Sequence, residues 1–153
     1  MDARKFLKQV RKIDKMIVNK EIEIEQWKAI AEGTTAKMGG ERVQSSGSKQ
    51  KMEDAVCKYT SIEKEVEKHR DELIITKQDV ISVIESLDNA TEYDVLHKMY
   101  IGKIVQRKDG TKYTHYFEFQ EIADMYDRQY STITTVHGRA LKNVQRILDS
   151  RKE

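Results

Sequence analysis

The strongest constraint on the fold is an apolar row that runs through residues 51–88. Its members recur at alternating intervals of three and four residues for five heptads, with His69 and Thr76 as polar members. This period lets one face of a helix pack continuously against another helix. We therefore predict one long coiled-coil helix over 51–88, whose seam consists of Met52, Ala55, Tyr59, Ile62, Val66, His69, Leu73, Thr76, Val80, Val83 and Leu87.

A second row with the same period predicts an amphipathic helix over residues 3–32, within an N-terminal segment that spans 1–32. Residues 33–50 carry four glycines among polar side chains, which predicts a flexible linker. The first helix can fold back antiparallel on the long helix, or each can pair with a second copy of the chain, and the sequence leaves both open. The row of the first helix contains Phe6, Val10, Ile13, Ile17, Ile24, Trp27 and Ala31, interrupted by Lys20.

The composition suits extended helices better than a large globular core. Charged side chains make up 35% of the residues, aromatic ones 7%, and proline is absent. Cys57 is the only cysteine, which excludes an intramolecular disulfide and agrees with a reducing cytosol. No stretch approaches the length of an apolar membrane span and no signal-peptide core is found, so we expect a cytoplasmic protein without a membrane partner.

Residues 89–153 are predicted to form a small domain of shorter elements. Its first helix, over 89–101, has Thr91 as the predicted N-cap and ends at Gly102. Residues 103–118 then alternate around Asp-Gly, a dipeptide typical of a type I′ turn, so we predict an inserted β-hairpin. Its tip is basic, which suits either a solvated hairpin or a wing that contacts phosphates through Arg107, Lys108 and Lys112.

The end of this domain has the pattern of a helix-turn-helix. Residues 119–126 predict a short helix with Ile122, Ala123 and Tyr126 on its apolar face, and a polar break at 127–129 follows. A longer second helix then places five apolar side chains on one face, because they recur at intervals of three and four. That buried face is predicted to consist of Ile133, Val136, Ala140, Val144 and Ile147.

The opposite face of the second helix is a candidate DNA-binding surface. From Arg128 to Leu148 there is no Asp or Glu, although about a third of the whole chain is charged. An acid-free basic helix is typical of a surface that meets phosphates. The phosphate candidates are Arg128, Arg139, Lys142 and Arg146.

The order and spacing of these motifs resemble region 4 of bacterial sigma factors. The likeness is carried by Ile122-Ala123-x-x-Tyr126, by Ile133 eleven residues after Ile122, and by Arg139-Ala140-Leu141. Residues 87–100 resemble the first helix pair of that region. A narrower likeness, strongest over 52–148, is to small sigma-like proteins of phages and prophages, including ArpU-like late regulators; its motifs are Gly33–Lys37, Asp54–Val56 and Val136–Leu141.

The resemblance implies a phage-encoded transcription regulator that binds double-stranded DNA at late-gene promoters, with bacterial RNA polymerase as a further partner. In region 4, the start of the second helix enters the major groove, and the matching base-reading positions here hold Tyr130, Ser131 and Thr135. The family commonly has Arg and Glu where this chain has Tyr130 and Ser131. A bidentate contact to guanine is thus missing, and we expect a different sequence preference.

No enzymatic activity is predicted. The four histidines are scattered and Cys57 has no histidine partner nearby in sequence, so we expect no catalytic residues, no metal site and no cofactor. Two other functions stay open, namely a phage packaging or terminase-type DNA-recognition or coiled-coil adaptor subunit, and a structural coiled-coil protein without a DNA role. If the protein is a transcription regulator, it can also form a homodimer through the coiled coil.

The predicted fold class is therefore all-α. A long N-terminal helical hairpin or coiled coil is followed by a small helix-turn-helix domain, into which a β-hairpin is inserted. The predicted segments are the helix of 1–32, the linker of 33–50, the long helix of 51–88 and the domain of 89–153.

Overall fold

The structure, a computed structural model, describes residues 1–33 and 46–153. The described elements are helices and one two-stranded antiparallel sheet, which confirms the predicted all-α class with an inserted hairpin. No described helix is long and apolar enough to cross a membrane. The elements are α1 (Ala3–Ala31), α2 (Ser46–Glu85), α3 (Ala90–Leu96), β1 (Lys103–Gln106), β2 (Lys112–His115), α4 (Phe119–Met125) and α5 (Tyr130–Ser150).

Both long helices predicted from the apolar rows are present, with shifted ends for the second. Helix α2 begins at Ser46, so the last five residues of the predicted linker are helical, while 34–45 lie outside the described residues. It ends at Glu85, three residues before the predicted end. Beyond Glu85, the N–H groups of Ser86 and Leu87 donate to Val83 O and Ile84 O in a tighter turn, and Asn89 is extended (φ −93°, ψ 116°) as the N-cap of α3.

Residues Ile13–Leu73 form one compact unit, here called the paired-helix unit. Ion pairs follow an antiparallel order, since Lys28 meets Glu63 (3.3 Å) and the earlier Glu21 meets the later Arg70 (2.6 Å). The two long helices therefore pair within one chain. Their shared core consists of Ile13, Ile17, Ile24, Ile62 and Val66, with Trp27, Tyr59 and Leu73 packed against it.

The predicted seam holds along most of this unit but not at its polar or terminal members. Lys20, the interruption in the first row, lies at the rim and reaches Glu65 (3.2 Å). Met52 is 46% exposed and so does not belong to the core. The His69 ring faces Glu72 of its own helix (Nδ1 to Oε2, 3.3 Å).

Residues Met1–Lys12 and Ile74–Glu153 form the second compact unit, here called the helix-turn-helix unit. The start of α1 thus belongs with the C-terminal domain, a grouping that the sequence segments did not anticipate. Its central cluster comes from α3, α4 and α5. That cluster consists of Val95, Ile122, Ala123, Ile133 and Val136, with Met99, Phe117 and Phe119 against it; Leu7, Val10, Val80, Val83 and Ile84 are also buried in this unit.

The N-cap of α3 is Asn89, and the prediction of Thr91 was wrong. The side-chain oxygen of Asn89 accepts hydrogen bonds from the backbone N–H groups of Thr91 (2.9 Å) and Glu92 (3.1 Å). Asn is as good an N-cap as Thr or better, and the first free N–H groups lie within its reach. Helix α3 continues as a π-helical turn over His97–Ile101, which ends at Gly102 as predicted.

The β-hairpin is present, but its turn is not type I′. That turn needs a positive φ at both central residues, and of the pair Asp109–Gly110 only the glycine has one (φ 88°). The N–H of Gly110 donates to Arg107 O (3.0 Å) and that of Arg107 to Thr111 O (2.8 Å), so the loop has three residues. The Asp109 carboxylate accepts from the N–H and the hydroxyl of Thr111, which lowers the pKa of Asp109 and holds this longer loop.

Candidate nucleic-acid interface

The turn between α4 and α5 ends the first helix with a Schellman arrangement. Asp127 has φ 49°, the left-handed conformation, and its N–H donates to Asp124 O (3.3 Å). The N–H of Arg128 then donates to Ala123 O (2.9 Å). These two bonds satisfy two of the last carbonyl groups of α4 within a four-residue connection, 126–129. The predicted break at 127–129 is therefore a tight turn, which starts α5 at Tyr130.

The buried face of α5 is close to the predicted one. Ile133, Val136, Ala140 and Val144 are buried, but the last member is Leu148, and Ile147 is only half-buried. Ile147 lies three residues after Val144 and Leu148 lies four residues after it. Both intervals fit one helical face, so the sequence pattern could not decide which of the two residues is buried.

Tyr126 does not join the core, contrary to prediction. Its side chain is 39% exposed, and its ring lies 5.7 Å from the ammonium group of Lys98. Tyr126 is the C-cap of α4, with φ −98° and ψ 1°, so the chain is already leaving the helix there. The helical period that predicted its direction no longer applies at that residue.

His137 packs inside the unit, as its place on the flank of the buried face predicts. It is 6% exposed, and its Nε2 is hydrogen-bonded to the hydroxyl of Tyr100 at 2.9 Å. Burial, helped by the positive charge of Arg4, lowers the pKa of His137 to about 4. Burial also raises the pKa of Tyr100, so near neutral pH the phenol stays protonated and can donate to a neutral imidazole.

Two polar contacts fix the elements around α5. The Asn143 amide donates to the buried carboxylate of Glu92 on α3 (2.8 Å), and the His115 ring meets Glu121 of α4 (2.7 Å). The second contact lowers the pKa of Glu121 and ties the end of β2 to the helix-turn-helix. Neither contact was predicted. Glu92 and Asn143 lie 51 positions apart and share no local pattern, and His115 and Glu121 belong to different elements, a strand and a helix.

The four phosphate candidates lie exposed on or just before α5. Arg139, Lys142 and Arg146 are spaced at three and four residues and so share the outward face. Within the described part of the chain, none of the four makes an ion pair with a carboxylate. Arg146 has one long hydrogen bond, to Asn143 (3.4 Å). These charges therefore remain available to an anionic partner.

The base-reading candidates begin the same helix and are all exposed. The Tyr130 ring meets Phe119 edge to face (centroids 5.8 Å apart), so its direction is set by the preceding helix. The Thr135 hydroxyl donates to Ser131 O (2.8 Å), which occupies its proton and leaves its methyl group and lone pairs for other contacts. Tyr130, Ser131 and Thr135 thus offer hydroxyl and apolar groups rather than a guanidinium.

The hairpin candidates are exposed at its tip. Arg107 has its guanidinium carbon 4.6 Å from the centre of the Tyr113 ring, so its side chain is ordered along the hairpin. Lys108 lies in the loop and Lys112 begins β2. The hairpin presents charge at its tip, while His115 at its base anchors it to α4.

The comparisons with known proteins identify a family without adding a function. The model of the family described as a protein of unknown function, DUF1492, matches residues 33–127, which is more than half of the chain, so the protein belongs to that family. The matched range covers α2, α3, the hairpin and α4 and stops before α5. No curated protein matches the chain, and no solved structure matches it either.

A metal-dependent site finds no support in the described residues. No three His, Cys, Asp or Glu side chains come together there in a way that could hold a metal ion. On the exposed face of α5, by contrast, three basic side chains lie within about two turns of one another, at Arg139, Lys142 and Arg146.

Proposed function

We propose that the protein binds duplex DNA through its helix-turn-helix unit, with the start of α5 in the major groove. The observation that carries the proposal is the outward face of α5, which has Arg139, Lys142 and Arg146 without carboxylate partners among the described residues and no acid from 128 to 148. In a chain with 26 acidic residues, a helix of 21 residues with one acid, Asp149 near its end, is suited to phosphate contact.

The rigid base of α5 supports the same proposal. A base-reading helix must hold its direction, because bases are discriminated by contacts that depend on placement within the groove. Here the tight turn at Asp127, the buried cluster beneath Ile133 and the Glu92–Asn143 bond all hold α5.

The likeness to sigma region 4 and to ArpU-like regulators supports a narrower form of the proposal. The protein then acts at phage or prophage late promoters, together with the RNA polymerase of a bacterial host. It serves as an activator or works with a partner, since no segment resembles the sigma region that melts promoter DNA.

The first test is the salt dependence of DNA binding by the double variant Arg139→Ala, Lys142→Ala. Each neutralised phosphate contributes about 0.9 to the slope of log affinity against log salt, so removing two cations should flatten the slope by about 1.8. The weakening should be similar for every duplex sequence, because phosphates carry no sequence information. The slope is obtained from fluorescence anisotropy with labelled duplexes at several salt concentrations between about 50 and 200 mM.

The matched control is Lys64→Ala, Lys68→Ala, which removes the same charge from exposed positions of the paired-helix unit. An unchanged slope in the α5 variant, or an equal change in the control, would contradict the phosphate assignment. The promoter role has a separate test, chromatin immunoprecipitation of the tagged protein with the polymerase β subunit mapped in parallel. Shared peaks upstream of late genes support it, whereas peaks without polymerase favour packaging or repression.

A further inference from the structure

The net positive charge of the helix-turn-helix unit comes from the first three turns of α1. Residues Ile74–Glu153 carry twelve basic and twelve acidic side chains and are neutral in sum. Met1–Lys12, the other part of the unit, carries five basic and one acidic, which gives the unit a net charge of +4. A DNA-binding unit that is neutral without this segment must use the segment's charge, or bind only through local fields.

Hydrogen bonds attach this segment to the side of α5. The backbone N–H of Ala3 donates to the Gln145 side-chain oxygen (2.7 Å), and the Gln145 amide donates to Met1 O (3.3 Å). Ala3, Phe6, Leu7 and Val10 are buried, so the opposite side of these turns faces solvent. The attachment therefore sets the direction in which the basic side chains point.

Three of those basic residues form a row, here called the basic edge, which consists of Arg4, Lys8 and Arg11. Their spacing of four and three residues puts them on one face of α1, and all three are exposed. The row runs alongside α5, because Arg4 shares a surface cleft with Lys142 and Arg11 shares another with Tyr130. Its two ends thus lie beside a phosphate candidate and beside a base-reading candidate.

The charges of the basic edge are not neutralised by ion pairs within the described residues. Arg11 instead lies over the Tyr116 ring, 5.0 Å from its centre, which orders the side chain and leaves its charge in place. The neighbouring acids Asp2 and Asp149 accept hydrogen bonds from the N–H of Lys5 and from the Gln145 amide, keep their negative charge and reduce the field along the edge. Glu118 also borders the cleft of Arg11 and reduces the field there.

We propose that Arg4, Lys8 and Arg11 form a second phosphate-contacting row, which holds a DNA backbone strand alongside the groove that α5 enters. This inference rests on the proposed function, because it assigns further contacts to the same DNA. Duplex DNA suits the row better than an acidic peptide does, because a row of cations beside a basic recognition helix matches the regular charge of a backbone.

The test is the triple variant Arg4→Gln, Lys8→Gln, Arg11→Gln, measured by anisotropy with the same labelled duplexes and salt series. Glutamine keeps a good helix propensity, so circular dichroism should be unchanged. Removing three phosphate-neutralising cations should flatten the salt slope by about 2.7 and weaken binding similarly for all sequences. The matched control, Lys58→Gln, Lys64→Gln, Lys68→Gln, removes equal charge from exposed positions of the paired-helix unit.

The outcomes separate this inference from the function on which it rests. If the wild-type chain binds no duplex at low salt, the proposed function is overturned and the basic edge with it. If the wild type binds and the α5 variant has a flatter slope, but the basic-edge variant keeps the wild-type slope, only this inference is overturned. A slope change equal to that of the control also overturns it, since net charge alone would then explain the effect.

Discussion

Gly102 is a residue whose identity the backbone requires. It has φ 70° and ψ −160°, and a Cβ atom there would clash with the backbone oxygen of His115. Both the conformation and the clash would oppose any other side chain. The residue joins the π-helical turn to β1, so it also fixes where the hairpin leaves the helical part of the unit.

We predict that Gly102→Ala lowers the free energy of unfolding by about 2–4 kcal/mol, the combined cost of backbone strain and forced displacement of β2. The contrasting variant is Gly138→Ala, within α5, where an added Cβ meets nothing within 4 Å. That change should instead stabilise the protein by about 1 kcal/mol, because alanine favours the helix. Urea denaturation measures both, and similar effects of the two substitutions would contradict the structural difference between these glycines.

His137 makes stability depend on pH. The unfolded chain takes up a proton on this imidazole below about pH 6.5, the ordinary value, whereas the folded chain does so only near pH 4 because burial lowers the pKa. The unfolded state thus binds more protons between these values, so the contribution is present above about pH 6.5 and is lost as the pH falls toward 4. We predict a loss of about 2–3 kcal/mol across this interval.

The test is denaturation of the wild type and of His137→Gln at several pH values between about 7 and 4, the interval set by the two pKa values. His69→Gln is the control. The His137 variant should lose less stability on acidification than the wild type. An NMR titration of the imidazole gives a second readout that needs no variant. A His137 signal that titrates near its ordinary pKa would contradict the prediction.

At the scale of elements, the hairpin is anchored at one end and charged at the other. His115 at its base bonds Glu121 of α4, while Lys108 and Lys112 at the tip are exposed and have no ion pair among the described residues. Such an element can extend a DNA-binding surface without contributing to the core. Its charge can therefore be changed with little effect on folding.

We predict that Lys108→Ala, Lys112→Ala changes the free energy of unfolding by less than about 0.5 kcal/mol, because both side chains are solvated. If the hairpin acts as a wing, the same variant flattens the salt slope of DNA binding by about 0.9 for each phosphate that is no longer neutralised. Lys64→Ala, Lys68→Ala again serves as the charge-matched control. Reduced stability would show that the tip supports the fold, and an unchanged slope would leave it a solvated hairpin.

At the scale of the whole molecule, the antiparallel pairing of α1 and α2 uses the predicted seams within one chain. Ile17 and Ile24 pack with Ile62 and Val66 in a single core, so these positions are not free to pair with a second copy. This removes the seam as the default reason for a large assembly.

We therefore predict a monomer or a dimer in solution rather than a ring. Sedimentation velocity over a range of concentrations measures the oligomeric state directly. A stable ring or other high oligomer would contradict this prediction and move the function toward a packaging subunit, since such subunits act as assemblies. The variant Ile62→Asp should unfold the paired-helix unit, because it places an unpaired charge in the core of that unit.

Local features of the fold could be predicted wherever a single element carried the signal. The 3-4 rows located α1 and α2, the spacing of apolar residues located the faces of α5, and the polar break located the turn at Asp127. Predictions failed where an element ends. Tyr126 is the C-cap of α4, where the helical period no longer sets the direction of the side chain. Ile147 was predicted to be buried, but the same period also allows Leu148, which is the buried residue.

The sequence alone determined which segments are helical and which face of each is apolar, because periodicity is local and survives without tertiary contacts. Tertiary structure decided that α1 and α2 pair in the same chain, since Ile24 could equally have met an isoleucine of another copy. It also decided that Arg4 and Arg11 flank α5. That arrangement depends on hydrogen bonds such as the one from Ala3 to Gln145. These two residues are 142 positions apart, so no local sequence pattern could predict their contact.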